Sequence, residues 1–252
     1  MQRSALLSIV CILWVSSLVQ LPFVHGANLE LKPGDHICLV GSALGERLQH
    51  YNDWEALLYQ RFPSLNLTVR NLCFPGDEPF FRLRSMDFGD PDVHLKHSKA
   101  DVILFFFGTH ESFRGPAALE RFRKDVGLLI EQSKSKQYGS SGPPRMVLVS
   151  PIAFENTGDT NLPDGRAANE NLAIYTQALR QIAENTGIAF ADVFTPTKKM
   201  FEDTPERLTL NGVHLSAEGY KRLAPILDAA LFGSAAKPPA ANSATAQANL
   251  RS

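Results

Sequence analysis

Five short runs of β character, His36–Val40, Leu67–Asn71, Val102–Phe107, Met146–Val149 and Ile188–Asp192, constrain this chain more than any other feature. Four of them are nearly unbroken Val, Ile, Leu and Phe, without the polar alternation of a sheet that has one wet face. Strands of that kind are covered on both sides. Between them Leu44–Phe62, Ala117–Ser133, Ala168–Thr186 and Ala217–Leu231 read as helices. In the first, Leu44, Leu48, Tyr51, Trp54, Leu58 and Phe62 recur at helical spacing and form a core-facing stripe. Gly187 fits a C-cap, and Ser216 fits an N-cap with Gly219 three residues on. Alternating strands and helices predict an α/β protein, a three-layer α/β/α sandwich on an about five-stranded parallel sheet with right-handed crossovers. In such sheets ligands bind outside the strand C-termini.

The chain has 252 residues, 44% hydrophobic and 20% charged, which suffices for a single core. A net charge of −1 gives no electrostatic case for nucleic acid or for an anionic membrane surface. Residues 1–26 have the form of a signal peptide: Arg3, an apolar stretch from Ala5 to Leu21, and a small-residue site at Val24-His25-Gly26. The mature chain is then expected from Ala27, secreted or periplasmic, with an uncleaved signal anchor as the alternative. Cys11 lacks the small residue before it that lipidation requires. Residues 27–233 form the domain. The Ala/Pro/Ser tail 234–252 is expected to be disordered, because it carries too little apolar surface to bury.

Cys38 and Cys73 lie near the ends of the first two strands. Export permits a disulfide, while two small buried thiols are the favoured reading. No Cys or His grouping has zinc-site spacing, His94 and His97 fall in a polar stretch read as loop, and no cofactor motif is present. Asn66-Leu67-Thr68 is a glycosylation sequon. Two long loops, Asp77–Lys99 and Pro151–Arg166, lie on the strand-end side. The first carries Phe80, Phe81, Arg82, Arg84 and Phe88 and is expected to cover a substrate. Nothing in the sequence sets an oligomeric state.

Four blocks fall in order at strand ends or before helices: Gly41-Ser42-Ala43-Leu44, then Asn71-Leu72-Cys73-Phe74-Pro75-Gly76-Asp77, then Gly108-Thr109-His110-Glu111, and Asn211-Gly212-Val213-His214-Leu215-Ser216. Together they resemble the conserved blocks of the SGNH (GDSL) ester hydrolases. The runs Arg70-Asn71-Leu72, Gly76-Asp77-Glu78, Phe106-Phe107-Gly108, Glu111-Ser112-Phe113, Ser150-Pro151-Ile152-Ala153 and Leu208-Thr209 are similar to a planctomycete-type branch of that family. The resemblance implies a flavodoxin-like SGNH hydrolase fold. It further implies His214 as the base, position 211 as the group that orients it, and Gly76 with His110 as the oxyanion hole. The sequence departs from the family pattern at three places: Ala43 stands at the nucleophile position, His110 at the oxyanion asparagine, and Asn211 at the triad aspartate. Ser42, one residue early, is the adjacent hydroxyl, and Glu111, Glu155 and Asp159 are candidate surrogate acids. Two functions of different class follow. One is an exported hydrolase acting on small-molecule or carbohydrate esters, with attenuated chemistry. The other is an inactive binding module for carbohydrate or acyl groups.

Overall fold

The computed structural model describes residues 29–82, 88–140 and 142–233. The expected signal segment 1–26, the tail 234–252 and residues 83–87 of the first long loop, including Arg84, lie outside the described residues.

The strands are β1 (His36–Gly41), β2 (Thr68–Asn71), β3 (Val102–Phe106), β4 (Arg145–Val149) and β5 (Ala189–Ala191). All pair in parallel, in the order β2-β1-β3-β4-β5. The helices are α1 (Ala43–Arg47), α2 (Asp53–Arg61), α3 (Pro91–His97), α4 (Thr109–Ser112), α5 (Leu119–Lys134), α6 (Arg166–Thr186), α7 (Phe194–Asp203) and α8 (Ala217–Phe232).

Alternate residues of β1, β3 and β4 feed two separate cores, which is why these strands are largely apolar. On one face Ile37, Leu39, Val102, Leu104 and Phe106 pack with Trp54 and Leu58 of α2 and Tyr220, Leu223, Leu227 and Leu231 of α8. On the other, Cys38, Val40, Ile103 and Phe105 meet Phe122, Val126 and Ile130 of α5 and Tyr175, Leu179 and Ile182 of α6. Burying each such large side chain contributes roughly 1.5–3 kcal/mol. Cys38 and Cys73 are both buried, as the packing reading expects.

Two local expectations change. The helix expected over Leu44–Phe62 is broken. After α1 a single 3-10 turn covers Leu48–His50, and Tyr51 is extended (φ −134°, ψ 109°) before α2 begins. The apolar stripe survives the break because Leu48, Trp54 and Leu58 reach the same core, while Tyr51 leaves the helical path to stack on Tyr220 at 4.5 Å. The stretch holding His94 and His97 is helix α3, opened by Pro91 and capped by Asp90, whose side chain accepts from the Asp92 N–H. Helix α7, which no apolar period in the sequence predicts, follows β5. The predicted caps hold: Gly187 closes α6 at φ 69°, and Ser216 accepts from the Gly219 N–H at the start of α8.

Candidate active site

In a sheet of this order the strand order reverses between β1 and β3, and the crevice outside their C-termini is the expected ligand position. A cleft of about 170 Å³ occupies it. Its walls come from the turn after β1 (Ser42, Ala43, Leu44), the loop after β2 (Pro75, Gly76), α4 and its end (Thr109, His110, Phe113), Ile152 after β4, and the loop before α8 (Val213, His214) with Tyr220. Five residues singled out in the sequence, Ser42, Ala43, Gly76, His110 and His214, therefore share one cleft. The sixth, Asn211, stands behind His214.

The turn after β1 depends on Gly41. Its φ is 141°, and a Cβ there would sit 2.3 Å from the Phe106 carbonyl oxygen. Only glycine lets the strand end lie this close to β3, with the Ser42 N–H donating to that same carbonyl at 2.9 Å. Ala43 begins α1 and lines the cleft. The loop after β2 is tied to this turn: Asn71 Nδ2 donates to the Gly45 carbonyl at 2.7 Å, and the Phe74 N–H donates to the Gly41 carbonyl at 2.9 Å. Gly76, at φ 83°, closes that loop. Its N–H donates to Ser42 Oγ at 3.1 Å. The Ser42 hydroxyl and the Gly76 amide are thus in direct contact.

His214 is held by its own loop. Asn211 Oδ1 accepts from the backbone N–H groups of Val213 (3.2 Å) and His214 (3.0 Å) and lies 3.1 Å from His214 Nδ1. Two backbone donors fix the asparagine with its oxygen inward, since the amide nitrogen has no lone pair to offer them. Nδ1 must then carry the imidazole proton, and Nε2 keeps the lone pair a base requires. Asn211 preserves the tautomer and orientation that an aspartate would give, but not its negative charge. Burial, and secondarily the Arg47 charge, hold the His214 pKa below the ordinary histidine value. Among the described residues no hydrogen bond joins His214 to Ser42.

A buried carboxylate stabilises the His214 loop from beneath. Glu155 accepts from the N–H groups of Leu208 and Thr209, both at 2.7 Å, and from the Thr209 hydroxyl at 2.5 Å. Thr209 Oγ1 in turn accepts from the Gly212 N–H at 2.8 Å. Glu155 is therefore a loop clamp and makes no hydrogen bond to His214. Asp159 is turned to Asn161, and Glu111 accepts from the Gly108 N–H at 2.8 Å. None of the three surrogate acids takes the triad position.

On the opposite wall His110 Nε2 lies 3.4 Å from Oε1 of Glu78. Arg114 donates to both oxygens of that carboxylate, Nη1 to Oε2 at 2.9 Å and Nη2 to Oε1. These bonds hold the Glu78 pKa below its ordinary value against the effect of burial. The motif reading named Glu78 without a role and missed Arg114 and Arg47. No spacing rule would find them, because their contacts depend on how α4 and α1 meet neighbouring loops.

The fold and this cleft define a doubly wound α/β protein with a histidine-bearing site at the sheet's switch point. The chain belongs to the GDSL-like lipase/acylhydrolase family, whose pattern matches residues 34–222. No curated protein matches it in sequence. Among solved structures it is similar to Axe2, an acetylxylan esterase from Geobacillus stearothermophilus, at a TM-score of 0.61 and 17% identity, over 83% of this chain and 100% of that one. It is also similar to BT4096, a gut microbial diltiazem-metabolizing enzyme, at a TM-score of 0.62 and 16% identity. That match covers 82% of this chain and 48% of the other, so this chain spans about half the length of that enzyme.

Proposed function

We propose that this protein is an exported ester hydrolase for small acyl groups, with Ser42 as nucleophile and His214 as general base. The observation that carries the reading is the 3.1 Å contact between Ser42 Oγ and the Gly76 N–H in the cleft that His214 also lines. A carbonyl carbon attacked by Ser42 Oγ would develop its negative oxygen within reach of that same N–H. In the first half-reaction His214 Nε2 takes the hydroxyl proton, Oγ bonds to the acyl carbon, and the tetrahedral oxyanion faces Gly76 and His110. The alkoxide then leaves with the proton from His214. Water, deprotonated by His214, releases the acid and restores Ser42.

The cleft limits the acyl group. An apolar protein cavity of roughly 150 Å³ holds benzene, so about 170 Å³ lined by Leu44, Phe113, Ile152 and Val213 suits an acetyl group and acyl chains up to about that size. The likeness to an acetylxylan esterase supports acetylated sugars as the first substrates to try. The chemistry is attenuated because Asn211 cannot stabilise the imidazolium. In serine proteases the equivalent change costs about 10⁴ in turnover and imposes the wrong tautomer. Here the tautomer is kept, which predicts a smaller loss.

A binding module for acyl groups or carbohydrate is the second reading, favoured by the methyl of Ala43 and the uncharged Asn211. Turnover of p-nitrophenyl esters and acetylated sugars by wild type, Ser42→Ala and His214→Ala separates the two. The proposal expects both variants to fall to background together and intact-mass measurement to find an acyl adduct in the wild type. Rates equal to background in all three proteins would refute the hydrolase reading and leave the binding module in its place.

A further inference from the structure

The cleft has room for a small acyl group and little else, so the alcohol half of an ester bound there must lie across its mouth. That mouth is uneven. Among the described residues that line the cleft, Pro75, His110 and Phe113 alone are exposed, whereas Ile152, Val213, His214 and Tyr220 are buried or half-buried. Phe113 is 59% exposed although it lines the cleft, so its ring runs from the wall to the surface.

The backbone fixes what stands beside that ring. The Phe113 and Arg114 N–H groups donate to the His110 and Glu111 carbonyls at 3.3 and 3.1 Å, so the helical path of α4 continues past Ser112. His110, Phe113 and Arg114 are then three and four positions apart and share one face. The buried Glu78 carboxylate anchors Arg114 there, with Nη1 donating to Oε2 at 2.9 Å and Nη2 to Oε1. A guanidinium has five N–H donors. The pair occupies two, and at 48% side-chain exposure Arg114 can offer others to a ligand.

An aromatic face between an imidazole and a fixed guanidinium discriminates among alcohols. The face of a π system is negative and attracts the C–H groups of a saturated ring. An apolar alcohol would supply those C–H groups, but it would strip water from Arg114 and His110 without replacing the hydrogen bonds, which is unfavourable. A pyranose supplies both, with C–H groups on its face and hydroxyls around its edge.

We propose that the α4 face carrying His110, Phe113 and Arg114 is a sugar subsite, in which Phe113 is the platform for a pyranose on the alcohol side of the scissile ester and Arg114 donates to its hydroxyls. Glu78 holds the guanidinium in place for this. The proposal rests on the hydrolase reading for the ester, but not for the sugar.

The kinetic test compares three esters with the same acyl group: monoacetylated methyl β-xylopyranoside, cyclohexyl acetate and ethyl acetate. The wild type should prefer the sugar ester to each of the others by about tenfold in kcat/KM, well below what an enclosed hydrogen-bonding site achieves, because this rim is open to water. Phe113→Ala, at an exposed position that tolerates truncation, should abolish the preference over ethyl acetate, and Phe113→Trp should keep it. Arg114→Met should abolish the preference over cyclohexyl acetate. If that variant does not fold, Glu78→Gln with Arg114→Met removes the buried charge together with its partner. Faster turnover of cyclohexyl acetate than of the sugar ester would make this a site for apolar alcohols, and an unchanged preference in Phe113→Ala would overturn the platform.

Binding is read separately, without turnover, by NMR titration with methyl β-xylopyranoside. The Arg114 side-chain resonances should shift in the wild type and not in Phe113→Ala. No shift at the solubility limit of the sugar would overturn the subsite. Shifts in a protein that hydrolyses none of the three acetates would sink the hydrolase reading and leave the subsite standing. Hydrolysis of all three without preference, and without shifts, would do the reverse.

Discussion

Replacing Glu155 by Gln tests whether the buried clamp under the His214 loop matters as its geometry implies. The carboxylate accepts three hydrogen bonds, from the Leu208 and Thr209 N–H groups and the Thr209 hydroxyl, at 4% exposure. Gln keeps one acceptor oxygen for Leu208. Its amide nitrogen then faces the Thr209 N–H, donor against donor. An orphaned buried N–H costs about 1–3 kcal/mol, and exchanging a charged for a neutral acceptor at Leu208 loses about 1 kcal/mol more. The expected destabilisation is thus about 2–4 kcal/mol, read from urea denaturation by circular dichroism with the slope unchanged. Thr209 also receives the Gly212 N–H, so the turn presenting His214 should loosen and ester turnover should fall at least tenfold (~1.4 kcal/mol in the barrier). A stability loss below about 1 kcal/mol would refute the hydrogen-bond reasoning. Full destabilisation with an unchanged rate would show that the clamp supports the fold without positioning His214.

Ala43→Ser combined with Asn211→Asp should raise ester turnover by at least ~10²-fold, a conservative share of what triad groups supply elsewhere; no gain in a folded double variant would mean the cleft does not position an ester. His214 must be neutral to act as base, and burial with Arg47 depresses its pKa, so the rate should rise with pH around a midpoint below the ordinary ~6.5. Arg47→Met should move that midpoint upward, and a fixed midpoint would show that the Arg47 charge is not felt. Burial pushes the Glu111 carboxyl up to about 7, against the opposing bond from Gly108. The folded protein therefore holds that proton more tightly than the unfolded chain, and stability should decline as pH rises from about 4.5 to about 7. Glu111→Gln should flatten this part of the thermal midpoint profile, whereas an identical slope in the variant would assign the decline elsewhere.

Much of the fold was legible because burial on both faces leaves a signature in the strands themselves. Ile37 and Leu39 face one core while Cys38 and Val40 face the other, so every position is apolar. The long helices α5, α6 and α8 were legible for the complementary reason, a single apolar face with recognisable ends. Helix α3 carried readable signals in Asp90 and Pro91, which the polar composition around His94 and His97 obscured. Helix α7 buries only Phe194 and Thr197 among its ten residues, too little for a visible period. The break at Tyr51 was invisible because a stripe at helical spacing continues across it, and the stack on Tyr220 that accompanies the extended conformation there is a tertiary contact.

The sequence by itself determined a parallel α/β sandwich and the order of four polar blocks at strand ends, since hydrophobic period and turn residues are local properties of a chain. It also determined the side chains those blocks carry: Ala43 without a hydroxyl, Asn211 without a charge, and His110 with an imidazole. Only the tertiary structure decided what those side chains meet. It brought Ser42 Oγ to the Gly76 N–H across 34 positions of chain and turned Asn211 Oδ1 toward His214 Nδ1 through two backbone donors. It also set Glu78 and Arg114 beside His110 and diverted Glu155 from the histidine to the loop beneath it. These contacts join side chains from separate strand ends, and their distances depend on how parallel strands align and how loops pack over them. That information is not contained in any one segment of the chain.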